Sequence, residues 1–343
     1  MLLKFPIVQT AKKCGIPFDQ RTLGRAVVEA QCPFCGDQRH HLFLYTSDDH
    51  FHCYRCRAHG NAVSLYARCN ELSYANAYHE LADDKILRLP QKREPRPQAV
   101  EPAPIERRHA VYTALLDSLA LSQEHRENLL ERGLNSEAIE AGGYRSLPYG
   151  KEVRDALAAS LSQDCNLMHV PGFYTANGIW QFTAWSGLLI PVRDHLGRIQ
   201  GIQVRLDRAE KRKYRWISSA DLPNGAPARG WVHVTGDTSR RTACITEGAL
   251  KGDISSLLTG GTLFLCVAGV DSTALLPETL KALKIRKVYE TFDMDKLTNP
   301  HVRDALKRLQ KLLAANGVQY RPYHWNPEYK GVDDYLWARS RAI

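Results

Sequence analysis

Two short cysteine knuckles constrain this chain more than any other feature. Cys32-Pro33-Phe34-Cys35 and Cys53-Tyr54-Arg55-Cys56 each place two thiols across a tight turn, with seventeen residues between the pairs. One knuckle offers a metal two thiolates. Two knuckles complete the closed tetrahedral S₄ set that Zn²⁺ takes in structural sites. Such a set has no open position for water, so the expected Zn²⁺ builds a fold and does no chemistry. Between the knuckles, residues 41–45 and 50–52 read as paired strands, with Ser47-Asp48-Asp49 as the turn. The predicted module is a zinc ribbon. A helix and a strand precede it within residues 1–31, and helices follow over 62–69 and 74–81, the second capped by Ser73.

The 343 residues leave room for two or three domains. Cys14, Cys69, Cys165, Cys244 and Cys266 show no framework spacing and read as reduced thiols of a cytosolic protein. The N-terminal apolar run is too short for a signal peptide, and no stretch approaches eighteen apolar residues, so the expected location is cytoplasmic. A formal charge of +9 points to a polyanionic partner, nucleic acid first. The phosphate-cradling pattern G-x-x-x-x-G-K-[ST] does not occur, so no ATP-driven motor is expected within the chain.

Composition divides the chain. Residues 1–87 form the ribbon domain. Residues 88–105 hold five prolines among charges and no apolar period, and read as an extended linker. Over 106–240 the pattern predicts helices at 111–119 and 123–132, with Gly133 as C-cap, and a short helix capped by Ser136. A hairpin follows, from strands 187–192 and 198–205 about the turn 194–197. The segment from Arg205 to Arg215 carries six Lys/Arg beside Tyr214 and Trp216, and reads either as a solvated hairpin edge or as a polyanion-binding surface. In 241–343, strands at 243–246, 263–268, 287–292 and 318–323 alternate with helices, which implies an α/β layer with a parallel sheet.

Open parallel sheets gather functional groups at the carboxyl ends of their strands. Those ends supply Glu247, the pair Asp293 and Asp295, and the adjacent Asp333 and Asp334. Five carboxylates at one edge repel unless a cation sits among them, and hard oxygen ligands suit Mg²⁺. An Asp-x-Asp on an extended strand end directs both side chains to one face. The same acids could also serve as turn residues and helix N-caps.

At this point the residues resemble the bacterial DnaG-type primases, with plasmid- and phage-encoded relatives the nearest. Cys32 to Cys35 and Phe51 to Ala62, including Gly60-Asn61 after the last thiol, are similar to the primase zinc ribbon. Residues 121–144 resemble the start of the family's polymerase domain, and Leu189 to Asp194 with Gly197-Arg198 and Gly201 resemble its hairpin. Ile245-Thr246-Glu247-Gly248 and Phe292-Asp293-Met294-Asp295 are similar to the two signatures of its catalytic Toprim fold. The fold implied is a zinc ribbon, a linker, and an α+β polymerase domain with a Rossmann-like Toprim core over 241–343.

The resemblance implies that Glu247, Asp293 and Asp295 hold catalytic Mg²⁺ or Mn²⁺, with Asp333 and Asp334 as further candidates. It also implies that Arg205, Lys213 and Arg215 form a basic ridge toward nucleic-acid or nucleotide phosphates. Three departures stand out. Cys35 replaces the usual His as second zinc ligand. Lys251 stands four residues after Glu247, where an acid is common, and the nearest acid is Asp253, whose role stays open. Asp333 and Asp334 are adjacent rather than spaced. With so few residues after them, neither a helicase-binding nor a fused helicase domain is expected within these 343 residues. The implied function is primer synthesis on single-stranded DNA from nucleoside triphosphates, beside a separate helicase or replication protein, for a mobile element or phage. The alternatives are a catalytically inactive single-stranded-DNA-binding replication factor and a Toprim-type nuclease.

Overall fold

The computed structural model describes residues 5–83, 100–208 and 213–342, which fall into two compact units, Met1–Arg96 and Pro97–Ile343. The stretch read as a linker lies outside the described residues up to position 99. Its described end, 100–104, lies outside helix and strand, and a helix begins at Ile105, the last position of that stretch. Residues 209–212 of the basic segment also lie outside.

In the first unit, α1 (Ile7–Lys13) is followed by β1 (Val27–Cys32), β2 (Asp37–Tyr45), β3 (His50–Cys53) and β4 (His59–Asn61). These strands pair antiparallel in sequential order. The period-2 alternation produces this arrangement: Val28, Ala30, Leu42, Leu44, Phe51 and Cys53 turn inward and are buried. Two helices, α2 (Ala62–Cys69) and α3 (Tyr74–Asp83), complete the unit. A capping box starts α2. Ser64 N donates to Asn61 Oδ1 and Asn61 N donates to Ser64 Oγ, both at 2.9 Å. Ser73 Oγ accepts from Asn76 N at 3.2 Å and caps α3.

The second unit opens with α4 (Ile105–Asp117), α5 (Gln123–Glu131) and α6 (Ser136–Gly142). The cap of α6 is Asn135, not Ser136: its carboxamide oxygen accepts from Ala138 N at 2.8 Å, and Ser136 is the first helical residue. Next come β5 (Arg145–Leu147), α7 (Lys151–Asp164), a small hairpin of β6 (Phe173–Ala176) and β7 (Ile179–Phe182), then β8 (Gly187–Arg193), β9 (Ile199–Leu206) and β10 (Tyr214–Trp216). The sheet order is β10-β9-β8-β5, all antiparallel, so β10 is an edge strand.

The α/β layer contains β11 (His233–Thr235), β12 (Thr242–Glu247), α8 (Ala249–Leu258), β13 (Phe264–Val267), α9 (Leu276–Ala282), β14 (Lys287–Glu290), α10 (Pro300–Ala315), β15 (Gln319–Pro322) and α11 (Val332–Ser340). Its order is β11-β13-β12-β14-β15. The four strands from β12 to β15 are parallel as expected, but β11 joins antiparallel to β13, so the sheet is mixed. All four residues of β13 are buried, as helices on both faces demand. Helix α8 lies so close to β13 that a Cβ at Gly252 would stand 2.0 Å from Cys266 Sγ. From β12 the chain crosses to β13 on one side and reaches β14 on the other. The order of strands therefore reverses between β12 and β14, where open α/β sheets form their ligand crevice. Among the described residues, no helix is long and apolar enough to cross a membrane.

Candidate metal centres and nucleic-acid surface

The two knuckles meet at the end of the ribbon. Cys32 closes β1 and Cys53 closes β3, and register alone carries these thiols together. All four Sγ atoms lie within 4.8 Å of one another. Cys32 and Cys56 are 3.7 Å apart, and Cys35 and Cys53 are 4.0 Å apart. A tetrahedron with Zn–S bonds of about 2.3 Å has edges of about 3.8 Å, so the thiols already stand at ligand spacing and far beyond disulfide length. The donor set fits Zn²⁺ and makes the ribbon a structural zinc site. His52 and His59 point elsewhere: His59 Nδ1 lies 3.0 Å from Arg57 O, and His52 meets Tyr54 edge-on.

At the sheet's switch point, β12 ends in Glu247, and the turn after β14 carries Asp293 and Asp295. Strand β14 stops at Glu290 and Met294–Leu297 is a 3₁₀ turn, so the two aspartates do not share an extended strand face as expected. Their turn is clamped from inside. Glu290 Oε1 accepts from Phe292 N at 2.7 Å and from Lys296 Nζ at 2.9 Å. Lys296 Nζ also donates to Tyr323 O at 3.2 Å and sits 5.1 Å from the Trp325 ring. This pair is buried, with side chains 1% and 4% exposed, and it brackets the residues that present Asp293 and Asp295.

The edge is electrostatically strained. Burial first, then the charge of Asp293, pushes the Glu247 carboxyl up to about 7, with Asp295 adding to the effect. Asp295 Oδ1 is buried and has no hydrogen-bond partner. Lys251, in the first turn of α8, forms an ion pair with Asp293, and Lys330 approaches the same carboxylate at 3.9 Å. Burial works against the Lys251 ammonium, yet the charges of Asp293, Asp333 and Glu247 outweigh it and hold its pKa above the usual value. Three acids therefore act on one lysine.

Asp333 and Asp334 lie in the first turn of α11, not at the end of β15, which stops at Pro322. Asp334 Oδ2 accepts from Gly331 N at 3.3 Å and caps the helix. Asp333 is 3% exposed, pairs with Arg132 at 3.1 Å, and keeps Oδ1 buried without a partner. Burial raises its carboxyl above the ordinary range. Asp253 is directed away from this edge. It sits two residues beyond Lys251, so helical geometry turns it to the opposite face of α8. There it lies 2.9 Å from His233 Nε2 and accepts from Tyr144 OH at 2.6 Å. Burial alone would raise Asp253, but His233 and the hydroxyl donors hold it below the usual range. These residues line a cavity of about 430 Å³ that none of the edge acids touches.

The basic ridge divides. Register pairs Tyr214 with Arg205 and Arg215 with Val204, so Arg205 and Arg215 project from opposite faces. Arg205 donates to Asn128 Oδ1 at 2.7 Å, on the side of α5. Arg215 lies over the Trp185 ring at 4.8 Å. Lys213 is exposed at the sheet edge. Arg132 joins the ridge to the acids: it pairs with Asp333 at 3.1 Å, and, against burial, the Tyr214 side chain, with Asp333, holds its guanidinium pKa above the usual value. Sequence reasoning missed Arg132 and the Glu290–Lys296 clamp, because a lone cation at a helix end and two charges six residues apart carry no motif.

The ribbon has a second feature that the sequence reading passed over. Phe43 and Tyr45 on β2 stand opposite His52 and His50 on β3. Tyr45 stacks on His50 at 4.3 Å, and Tyr54 meets Phe43 edge-on at 5.0 Å. Tyr54 is 60% exposed. The period-2 alternation that buries Leu42, Leu44 and Phe51 therefore leaves an aromatic face outward.

Residues 21–96 match the family model of the CHC2 zinc finger of the DnaG zinc ribbon, and residues 231–343 match a domain of unknown function (DUF3854). The DNA primase of Haemophilus influenzae is 25% identical over 196 residues, 54% of this chain and 33% of that protein. The DNA primase of Chlamydia pneumoniae is 23% identical over 295 residues, 80% of this chain and 48% of that protein. The chain thus spans between a third and a half of the length of these relatives. Among solved structures, the zinc-binding and RNA polymerase domains of Aquifex aeolicus primase share the fold with a TM-score of 0.54 and 18% identity. They cover 97% of this chain and 80% of that one. A DnaG primase catalytic domain bound to single-stranded DNA matches with a TM-score of 0.51 and 16% identity, over 68% of this chain and 75% of that one.

Proposed function

We propose that this chain, related to the DnaG-type primases in ribbon, core and element order, synthesises short RNA primers on single-stranded DNA by nucleotidyl transfer. The observation that carries the reading is the strained acid edge at the switch point of the sheet. Glu247 and Asp295 face inward there with oxygens that no described donor satisfies. All the free donors are carboxylate oxygens, the hard set that Mg²⁺ or Mn²⁺ prefers; among the described residues only the four thiols already stand at ligand spacing, so an ion at the edge would have to draw its acids together. Glu247, Asp293 and Asp295 would hold it, with Asp333 beside them. A bound ion of this kind neutralises the charge that develops during in-line phosphoryl displacement.

The chain's own residues do the rest. The Glu290–Lys296 clamp fixes the turn bearing Asp293 and Asp295, so the acids are positioned before substrate arrives. Arg132 and Arg205 offer guanidinium forks that match phosphate oxygens, and Lys213 adds an exposed point charge. On the ribbon, Tyr45, Tyr54 and His50 present π-faces on which unpaired bases stack regardless of sequence. The ribbon would hold template, while the ridge would hold template or incoming triphosphate.

One observation favours the second reading, an inactive DNA-binding replication factor: Lys251 already neutralises Asp293. Incubation with single-stranded DNA, labelled ribonucleoside triphosphates and Mg²⁺ or Mn²⁺ separates the two. Primer synthesis yields short labelled products on a denaturing gel that depend on the template. A protein that binds the strand and incorporates nothing is the inactive factor.

A further inference from the structure

Resting on that reading of the acid edge, we propose that Lys251 is a built-in counter-cation. Its ammonium takes the place of one divalent ion, so this edge binds a single metal ion where its carboxylates could otherwise hold two. The observation is positional. Lys251 forms its ion pair with Asp293, and both side chains are largely enclosed, 15% and 17% exposed. It also lies within the fields of Glu247 and Asp333. Its place is not explained by the helix that carries it. A cation in the first turn of α8 opposes the helix macrodipole, which favours acids there. The acids must therefore supply the attraction.

Packing shows the same. The Lys251 stem runs beneath Gly331, where an added Cβ would stand 3.3 Å from Lys251 Cε and 2.3 Å from Asp333 Oδ1. A bare glycine at the entrance to α11 is thus part of what lets the lysine lie among the acids. Arg132 in turn pairs with Asp333, and Asp334 is used as a helix cap. Among the described residues this leaves Asp295 Oδ1 and Asp333 Oδ1 as buried oxygens without a partner, beside the Glu247 carboxyl that burial and its neighbours push up. Oxygens from three carboxyl groups, completed by water and substrate phosphate, suit one hard cation. A second divalent ion would need both Asp293 free of the ammonium and a further carboxylate where Lys251 stands.

Counting bound Mn²⁺ on the full-length, zinc-loaded protein tests this. Mn²⁺ is titrated in and the free ion is followed by its paramagnetic resonance signal. Wild type should bind one Mn²⁺ at the acid edge. Lys251→Asp should bind two. Lys251→Met keeps the stem and removes the charge that competes for Asp293, so it should still bind one, at least about tenfold more tightly. Two ions or none in wild type would overturn the proposal, as would an unchanged count in a folded Lys251→Asp. Should circular dichroism show that variant unfolded, the Met variant decides, and an unchanged affinity overturns the proposal. Primer synthesis measured in parallel separates this inference from the reading beneath it. One bound ion without incorporation refutes the primase and leaves the counter-cation standing, whereas priming with two bound ions does the reverse.

Discussion

The two candidate metal centres of this chain solve the same problem in opposite ways. In the ribbon, four thiols stand within 4.8 Å of one another, at the edge lengths of a zinc tetrahedron. No described cation of the chain is drawn in among them, and only a metal reconciles four thiolates at that spacing. At the sheet's switch point, the carboxylates have partners from the chain itself: Lys251 and Lys330 on Asp293, and Arg132 on Asp333. The first centre depends on its ion for its fold. The second is held by a clamp and by fixed cations, so on the proposed reading it should stay folded without an ion. A structural site spends every ligand, while a reactive site must withhold some.

The comparison predicts its largest effect at the ribbon. Chelating the zinc, or replacing Cys53 by Ser, should unfold the first unit, with a loss on the order of 10 kcal/mol of metal-linked folding free energy. The second unit should keep its own unfolding transition in calorimetry. Loss of both transitions together would break the contrast. Next in size is the clamp. Lys296→Met leaves the Glu290 carboxylate buried without its cation, which costs about 3–5 kcal/mol. Thermal unfolding should show the second transition falling and the ribbon transition unmoved. If the melting profile hardly changes, Glu290 has found another donor and the acids do not depend on this clamp.

The smallest expected effect lies on the ridge. Lys213→Ala should reduce the slope of log affinity for single-stranded DNA against log salt by about 0.7, the share of one phosphate contact. If Lys213 instead touches only the incoming triphosphate, the slope holds and the nucleotide KM rises. A variant that changes neither quantity makes this segment a solvated edge. Arg215, stacked on Trp185 on the other face, should contribute less to the slope than Arg205.

How much of this was legible beforehand follows from the range of each interaction. The ribbon could be read because knuckle spacing and strand alternation are local, and because helix α2 starts at Asn61 through contacts three residues long. The alternation of 241–343 was legible for the same reason. Strand β11 was missed because three residues, His233–Thr235, carry no period of their own and pair only through β13. The mixed character of the sheet was missed with it. Helix α7 and the β6–β7 hairpin went unread because nothing in 145–186 was recognised as a motif. At the acid edge the sequence marked the acids but not their partners. Arg132 reaches Asp333 across 201 positions, and Lys251 reaches Asp293 across 42. The adjacent pair Asp333-Asp334 illustrates the limit best: one is buried against Arg132, the other is a helix cap, and only the start of α11 at Val332 tells them apart.

The central claim is that the acid edge performs chemistry that the rest of the chain only prepares. Asp295→Ala tests it most directly, because it removes a buried oxygen that has no partner and should leave the unfolding temperature unchanged or slightly higher. Single-stranded-DNA affinity and template-dependent incorporation of labelled nucleotides are then measured side by side with wild type. The account predicts equal affinity and incorporation reduced by at least about a hundredfold. Incorporation that persists in Asp295→Ala, or that is absent from wild type as well, would contradict it.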